Sequence, residues 1–292
     1  MTTLEGEGRM FSLIVTTNGT RDYELNRLMK SLESQIYKDF EVIAVLQTNS
    51  KNTLDIVNRY NVKVHVIETE RCSLSKARNI GLRLVKGDII GFPDDDCWYP
   101  SSLLEDVSLL FKDNDVICCN VFDPDTNRYF SSRQSSNDIE RITVFNAFKY
   151  PISVGIFTKN DGAEFDESLG AGTQWGSGEE TDYILDKLLN KKKISYYKNI
   201  NVYHPYINTK PGEMAQKSYN YGKGYGALVK KRIRMKQYGI LVDLIITITR
   251  SVVGALVNVF IPAYRNKYIG RIKGIIYGLK NYNSETITNR MN

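Results

Sequence analysis

Gly87-Asp-Ile-Ile-Gly-Phe-Pro-Asp-Asp-Asp-Cys-Trp-Tyr-Pro100 is the stretch on which the reading of the fold turns. A turn pair, Gly87-Asp88, precedes a short apolar run of strand length. Pro93 stops the run, and Asp94, Asp95 and Asp96 follow at its carboxyl end. Ser101-Ser102 then reads as a helix cap ahead of Leu103 and Leu104. Three adjacent aspartates repel one another, and a packed core does not tolerate them without partners. Beside a hard divalent cation they make sense, because carboxylate and phosphate oxygens together complete an octahedron. The carboxyl ends of strands are also where ligands bind in α/β sheets. A solvated acidic turn is the plainer alternative.

Working outward, strand-like and helical runs alternate. Phe11–Thr17, Phe40–Leu46 and Val62–Ile67 read as strands, and Glu24–Gln35, Leu54–Tyr60 and Ser75–Val85 as helices. With Asp88–Phe92 as a fourth strand, this predicts an α/β fold: a Rossmann-like, mostly parallel sheet with helices on both faces. Beyond Ser101 the spacing predicts a helix over Leu103–Phe111, strands over Val116–Phe122 and Ile152–Thr158, a polar loop over Asp123–Asp138 and a helix over Ile139–Phe148. Phe165–Gly170 leads into a glycine-rich loop, Ala171–Gly178, and Glu179-Glu180-Thr181-Asp182 opens a helix reaching Leu189. Acidic residues in a first helical turn are favoured by the helix dipole alone. A final strand, Ile194–Tyr203, ends at His204-Pro205.

The net charge of +6 hides an asymmetry. Residues 1–204 carry 24 Lys and Arg against 30 Asp and Glu, while residues 205–292 carry 15 against 3. A ligand-binding body therefore precedes a basic tail that seeks an anionic partner. The four cysteines have no metal-type spacing, and Cys118-Cys119 lies in an apolar run, which predicts reduced thiols and a cytoplasmic protein. Met1–Arg9 is polar and acidic rather than a signal peptide, and reads as a flexible lead.

Six ordered segments resemble the family 2 glycosyltransferases of GT-A fold: Ser12–Thr17, Phe40–Val45, Leu74–Gly81, Phe92–Asp96, Gly176–Asp182 and Val202–Pro205. The likeness runs from about Phe11 to about Pro205, and more weakly into the tail. It implies a catalytic domain over 10–206, with a nucleotide-binding part (10–100) and an acceptor part (101–206). It further implies inverting transfer of a sugar from a nucleoside diphosphate donor to an acceptor hydroxyl, assisted by Mn²⁺ or Mg²⁺. On this resemblance Asp94 meets the donor ribose, Asp96 the metal, and Asp95 assists. Thr16, Asn18, Arg21 and Gln47 fall on the donor side. Arg78 pairs with Asp94 or a phosphate, or is a surface helical arginine. His204 is a third metal ligand or a structural histidine.

The general base comes from Glu179-Glu180, where relatives commonly have Glu-Asp. Glu180 is favoured, although one methylene longer than the usual aspartate. Trp175 stacks on an acceptor sugar or belongs to the core; its glycine-rich setting predicts exposure. Relatives often end the second strand with an aspartate, where Leu46-Gln47 stands here, so UDP, dTDP and GDP donors all stay open. A nucleotidyltransferase and a non-catalytic scaffold of a membrane glycan-assembly complex are the rival readings.

Residues 207–292 form the appendage. Leu241–Ile261 is 21 residues, about 31 Å as a helix and nominally long enough for a bilayer. Asp243, Thr247, Arg250, Gly254 and Asn258 make one polar stripe along it, which argues against a simple span. Tyr264–Leu279 places Tyr268, Ile272, Ile275 and Leu279 on one face, and Tyr219–Gly226 reads as a hinge. With the basic run Lys230–Lys236, this predicts a peripheral foot over 230–281 on the inner face of the cell membrane, serving a lipid-linked glycan acceptor. A docking appendage or homo-oligomer contact is the alternative, and nucleic acid is disfavoured because the tail is mainly apolar.

Overall fold

The computed structural model describes residues 9–130 and 135–283. The lead at residues 1–8 and the middle of the predicted Asp123–Asp138 loop lie outside them. The chain separates into two compact units. One comprises Met1–Cys72, Lys76–Phe165 and Tyr183–Tyr206; the other comprises Ser73–Ser75, Asp166–Asp182 and Ile207–Asn292.

The first unit holds the whole sheet. Its strands are β1 (Phe11–Thr17), β2 (Phe40–Leu46), β3 (Val64–Glu68), β4 (Ile89–Gly91), β5 (Val116–Asp123), β6 (Arg128–Tyr129), β7 (Ile139–Arg141), β8 (Ile156–Lys159) and β9 (Ile194–Tyr203). They are ordered β3-β2-β1-β4-β8-β5-β9-β7, with β6 paired to β5. The run β3-β2-β1-β4 is parallel, as the alternating sequence pattern predicts. β8 then enters antiparallel to both β4 and β5. Every residue of β1 and β2 is buried, which is why both read as unbroken apolar runs rather than alternating ones. Helices α1 (Asp22–Glu33), α2 (Lys51–Asn58), α3 (Leu74–Leu82), α4 (Leu103–Leu110) and α5 (Glu179–Leu189) follow their strands. Leu25, Leu28, Met29 and Leu32 of α1 join Leu13, Val15, Val42 and Ala44 in one core.

Two sequence expectations fail in this unit. Ile139–Phe148 is not a helix: Ile139–Arg141 forms β7 against β9, and turns follow. Asn146 Oδ1 accepts from the Thr143 amide at 2.7 Å, and such local side-chain bonds compete with a helical ladder. The segment Ile152–Thr158 opens as a 3₁₀ turn, Ser153–Gly155, and becomes strand only at Ile156. A Cβ on Gly155 would lie 2.7 Å from the Cys119 carbonyl oxygen, so only glycine admits that approach.

The second unit contains α6 (Met214–Arg234), α7 (Ile240–Val257) and α8 (Pro262–Asn281). The predicted hinge at Tyr219–Gly226 is instead the middle of α6. Its glycines serve close packing. A Cβ on Gly226 would stand 2.3 Å from the Ile275 carbonyl oxygen, and one on Gly274 2.2 Å from that of Tyr219. Gly278 meets Lys223 and Gly270 meets Ala215 in the same way, so α6 and α8 run parallel with their backbones almost touching.

This packing also corrects the predicted face of the last helix. Ile275 is buried and Tyr268, Ile272 and Leu279 are half-buried, turned inward rather than outward. In α7 the polar stripe is largely the packed side. Thr247 and Ser251 are buried, Gly254 abuts the Tyr268 ring and Asp243 accepts from Tyr225 at 2.6 Å, while Arg250 is exposed. Ile245, Val253, Leu256, Val257 and Phe260 lie exposed on and just beyond the same helix. Among the described residues α7 is one helix long and apolar enough to cross a membrane, by length and composition.

Candidate functional site

The aspartate turn is fastened on both sides by backbone. Thr16 at the end of β1 forms a bridge with Asp94. Trp98 and Tyr203 exchange amide-to-carbonyl bonds at 2.9 and 3.0 Å, tying the turn to the end of β9. His204 therefore arrives beside Asp96, its Nε2 lying 3.1 Å from Asp96 Oδ1. The other ring nitrogen, Nδ1, sits 2.9 Å from the Pro205 carbonyl oxygen. A carbonyl only accepts, so Nδ1 carries a proton and Nε2 is the atom that faces the carboxylate.

Burial works against the ionised Asp96, but His204 and Arg21 outweigh it and hold the carboxyl below its usual range. His204 is raised correspondingly: burial opposes its protonation and Asp96 overcomes that. Burial is the dominant influence on Asp95 and pushes it up, despite hydrogen bonds from Thr17 at 2.7 Å and Arg21 at 3.0 Å. Arg21 also reaches Asp96 Oδ2 at 2.6 Å. Asp96 Oδ1 is buried and receives no aligned hydrogen bond, its close neighbour being His204 Nε2 at 3.1 Å. One ligand atom from each of Asp94, Asp96 and His204 lies within 4.8 Å of the others. Two carboxylate oxygens and an imidazole suit a divalent ion such as Mn²⁺, and Asp96 Oδ1 is an acceptor such an ion would satisfy.

The other predicted donor-side residues fare unequally. Arg78 is 1% exposed, so it is no surface arginine; it donates to Asp94 at 2.8 Å and to Ser153 at 3.1 Å. Asn18 accepts from its neighbour Thr20. Gln47 uses its side-chain carbonyl oxygen to hold the Cys72 amide at 2.7 Å. Arg27, which sequence reasoning passed over, donates to the Asp96 carbonyl at 2.9 Å while lying 3.5 Å over the Trp98 ring. Helical spacing places it on α1 and gives no sign of that reach. Phe130 meets His204 edge-on, also without a sequence signal.

In the second unit, the acidic pair begins α5. Glu179 is buried, and a Cβ on Gly170 would lie 2.9 Å from its carboxyl carbon; Glu180 is half-buried. The first turn of α5 is held by α6. Lys231 donates to Asp182 and Asp166, both at 2.6 Å, and Arg232 grips the Asp182 carboxylate and carbonyl. Both basic side chains are almost wholly buried, so they are not available to lipid headgroups as the Lys230–Lys236 run had implied. Trp175 is corrected too: it is 3% exposed, packed against Tyr277 and Tyr282, and offers no stacking face.

The chain resembles known proteins in both sequence and shape. A 31% identical segment of 110 residues, 36% of this chain and 19% of the relative, occurs in the poly(ribitol-phosphate) beta-N-acetylglucosaminyltransferase TarS of Staphylococcus aureus. An uncharacterized glycosyltransferase of Haemophilus influenzae is 37% identical over 93 residues, 31% of each chain. These matches span well under two thirds of the relatives. The mannosyltransferase PcManGT of Pyrobaculum calidifontis, solved with GDP-Man and Mn²⁺, superimposes with a TM-score of 0.61 at 13% identity, covering 94% of this chain and 88% of that one. S. aureus TarS 1-349 with UDP gives 0.54 at 17% identity, over 91% and 90%. Both likenesses establish the GT-A fold. The sequence profile "Glycosyl transferase family 2" matches residues 12–161, just over half of the chain, and with strand order and aspartate turn in agreement the chain belongs to that family.

Proposed function

We propose that this glycosyltransferase moves a sugar from a nucleoside diphosphate donor to an acceptor hydroxyl with inversion. The observation that carries the reading is the cluster of Asp94, Asp96 and His204 at the sheet's carboxyl edge, with Asp96 Oδ1 buried and without an aligned hydrogen bond. Asp94, Asp96 and His204 would hold Mn²⁺ or Mg²⁺, which supplies charge neutralisation for the departing diphosphate. Arg21, half-exposed while anchored on Asp95 and Asp96, adds a fixed positive charge for phosphate oxygens. Arg78 keeps the Asp94 carboxylate oriented, and the Gln47 amide nitrogen is left to meet the base. Thr16 and Asn18 complete the donor wall.

Glu180 takes the acceptor hydroxyl proton, because it is half-buried where Glu179 is buried. The acceptor oxygen then bonds to the anomeric carbon as the bond to the diphosphate oxygen breaks on the opposite face. TarS has been solved with UDP and with UDP-GlcNAc, which makes a UDP-sugar the first donor to try. The outward apolar face of α7 supports a seat on the inner face of the cell membrane, where the acceptor is a hydroxylated surface polymer or its lipid-linked precursor.

Calorimetry with UDP-, dTDP- and GDP-sugars, with and without Mn²⁺, tests this directly. Metal-dependent binding of one donor is expected. Absence of binding at every metal concentration overturns the reading, and pyrophosphate release from a nucleoside triphosphate would replace it with nucleotidyl transfer. Glu180→Gln should retain donor affinity and lose transfer.

A further inference from the structure

A cleft of about 710 Å³ lies in the second unit, between the glycine-rich loop Ala171–Gly176 and the start of α6. We infer that it is the acceptor subsite and that it receives the polyhydroxylated end of a glycan or polyol chain. This rests on the glycosyl-transfer reading and adds to it a place and a ligand chemistry.

Three observations converge. The walls place amides and hydroxyls among apolar surface: Asn208, Thr209, Gln216, Asn220 and Tyr221 line the cleft beside Ala171 and Ile207. Gln216 Nε2 donates to Asn220 Oδ1 at 3.2 Å, leaving the Gln216 carbonyl oxygen as an acceptor and the Asn220 amide nitrogen as a donor one helical turn apart. That alternation matches vicinal hydroxyls, each of which gives one hydrogen bond and takes another. Tyr221, 58% exposed, supplies an aromatic face for the apolar side of a sugar ring or polyol chain.

The loop that walls the cleft also leads into the acidic pair. Gly176 is three residues before Glu179, and Ser177 Oγ donates to the Tyr221 carbonyl at 3.2 Å. A Cβ on Gly224 would strike Ser177 Oγ at 2.2 Å, so α6 and the loop meet with no side chain between them. At the loop's other end, Gly170 abuts Glu179. Partial burial, Glu180 and Glu179, in that order, raise the Tyr221 phenol, as expected of a hydroxyl within reach of those carboxylates.

The wall's cations are already engaged. Lys217 donates to Thr209 at 2.9 Å and Lys223 to the Gln174 carbonyl at 3.0 Å. With Glu213 also present, the lining is close to neutral, and hydroxyl recognition governs it more than anion binding.

Gln216, Asn220 and Tyr221 are exposed helical positions, where alanine is tolerated by the fold. The test uses the full chain with two soluble probes, chitotriose and ribitol 5-phosphate, titrated by heteronuclear NMR at up to about 10 mM, the range of single-site affinities of a few kcal/mol. At least one probe should bind, and Asn220→Ala and Tyr221→Ala should each weaken it by about tenfold, the worth of roughly one hydrogen bond or ring contact. Binding of chitotriose alone assigns a glycan end, and of ribitol 5-phosphate alone a polyol phosphate. No binding of either probe, or undiminished wild-type affinity in both variants, overturns the proposal. Donor calorimetry on the same variants separates the two readings. If donor binding persists while the cleft variants change nothing, only the acceptor assignment falls; if no donor binds, the transferase reading itself has failed.

Discussion

Asp96 is the residue on which the candidate chemistry converges, because its two oxygens are divided between Arg21 and a position facing His204 that receives no aligned hydrogen bond. Asp96→Asn keeps the shape but removes the charge, and should abolish any Mn²⁺-dependent gain in nucleotide affinity, measured by calorimetry with and without metal. Arg78 makes a different prediction. It is 1% exposed and paired with Asp94, so Arg78→Ala strands a carboxylate that is itself half-buried. A loss of about 3 kcal/mol in denaturant-measured stability is expected, at the lower end of what breaking a buried pair costs.

At the scale of elements, the parallel pairing of α6 and α8 depends on bare backbone. Alanine is a better helix former than glycine by about 1 kcal/mol. Gly274→Ala should nevertheless lower the melting temperature, because its Cβ would meet the Tyr219 carbonyl at 2.2 Å and overpacking of this kind costs about 1–3 kcal/mol. The junction of α5 with α6 carries a pH signature. Burial opposes the charge on Asp166, yet Lys231 outweighs it and depresses its pKa. A depressed carboxylate stabilises the fold fully above its ordinary value of 3.8 and ceases to do so as pH falls through the lower folded value. Lys231 is raised by Asp182 and Asp166 against burial, so its contribution is complete below 10.5 and disappears as pH rises through its higher folded value. Stability of α6 followed by hydrogen exchange should thus fall at both extremes, and Asp166→Asn should remove much of the acid limb.

For the whole molecule, the exposed apolar residues of α7 and the chain just after it make a membrane-facing prediction. Val253→Asp and Phe260→Asp, at 52% and 93% exposure, should leave the melting temperature nearly unchanged. They should also sharply reduce flotation of the protein with anionic lipid vesicles. Equal flotation of wild type and variants would remove the membrane from the account.

The sequence alone determined the parallel half of the sheet, since β1 and β2 are buried on both faces and such strands need only an unbroken apolar run to declare themselves. It also determined the aspartate turn and the acidic start of α5, because charge at the end of an apolar run is visible without coordinates. Only tertiary structure decided what lay across the chain. Arg27 over Trp98, Lys231 and Arg232 buried on Asp182, and the inward stripe of α7 all join residues far apart in sequence, and periodicity names a face without naming what covers it. The α6 glycines show the reason most clearly: a glycine that bends a chain and a glycine that admits a neighbouring helix are the same letter, and only the neighbour tells them apart.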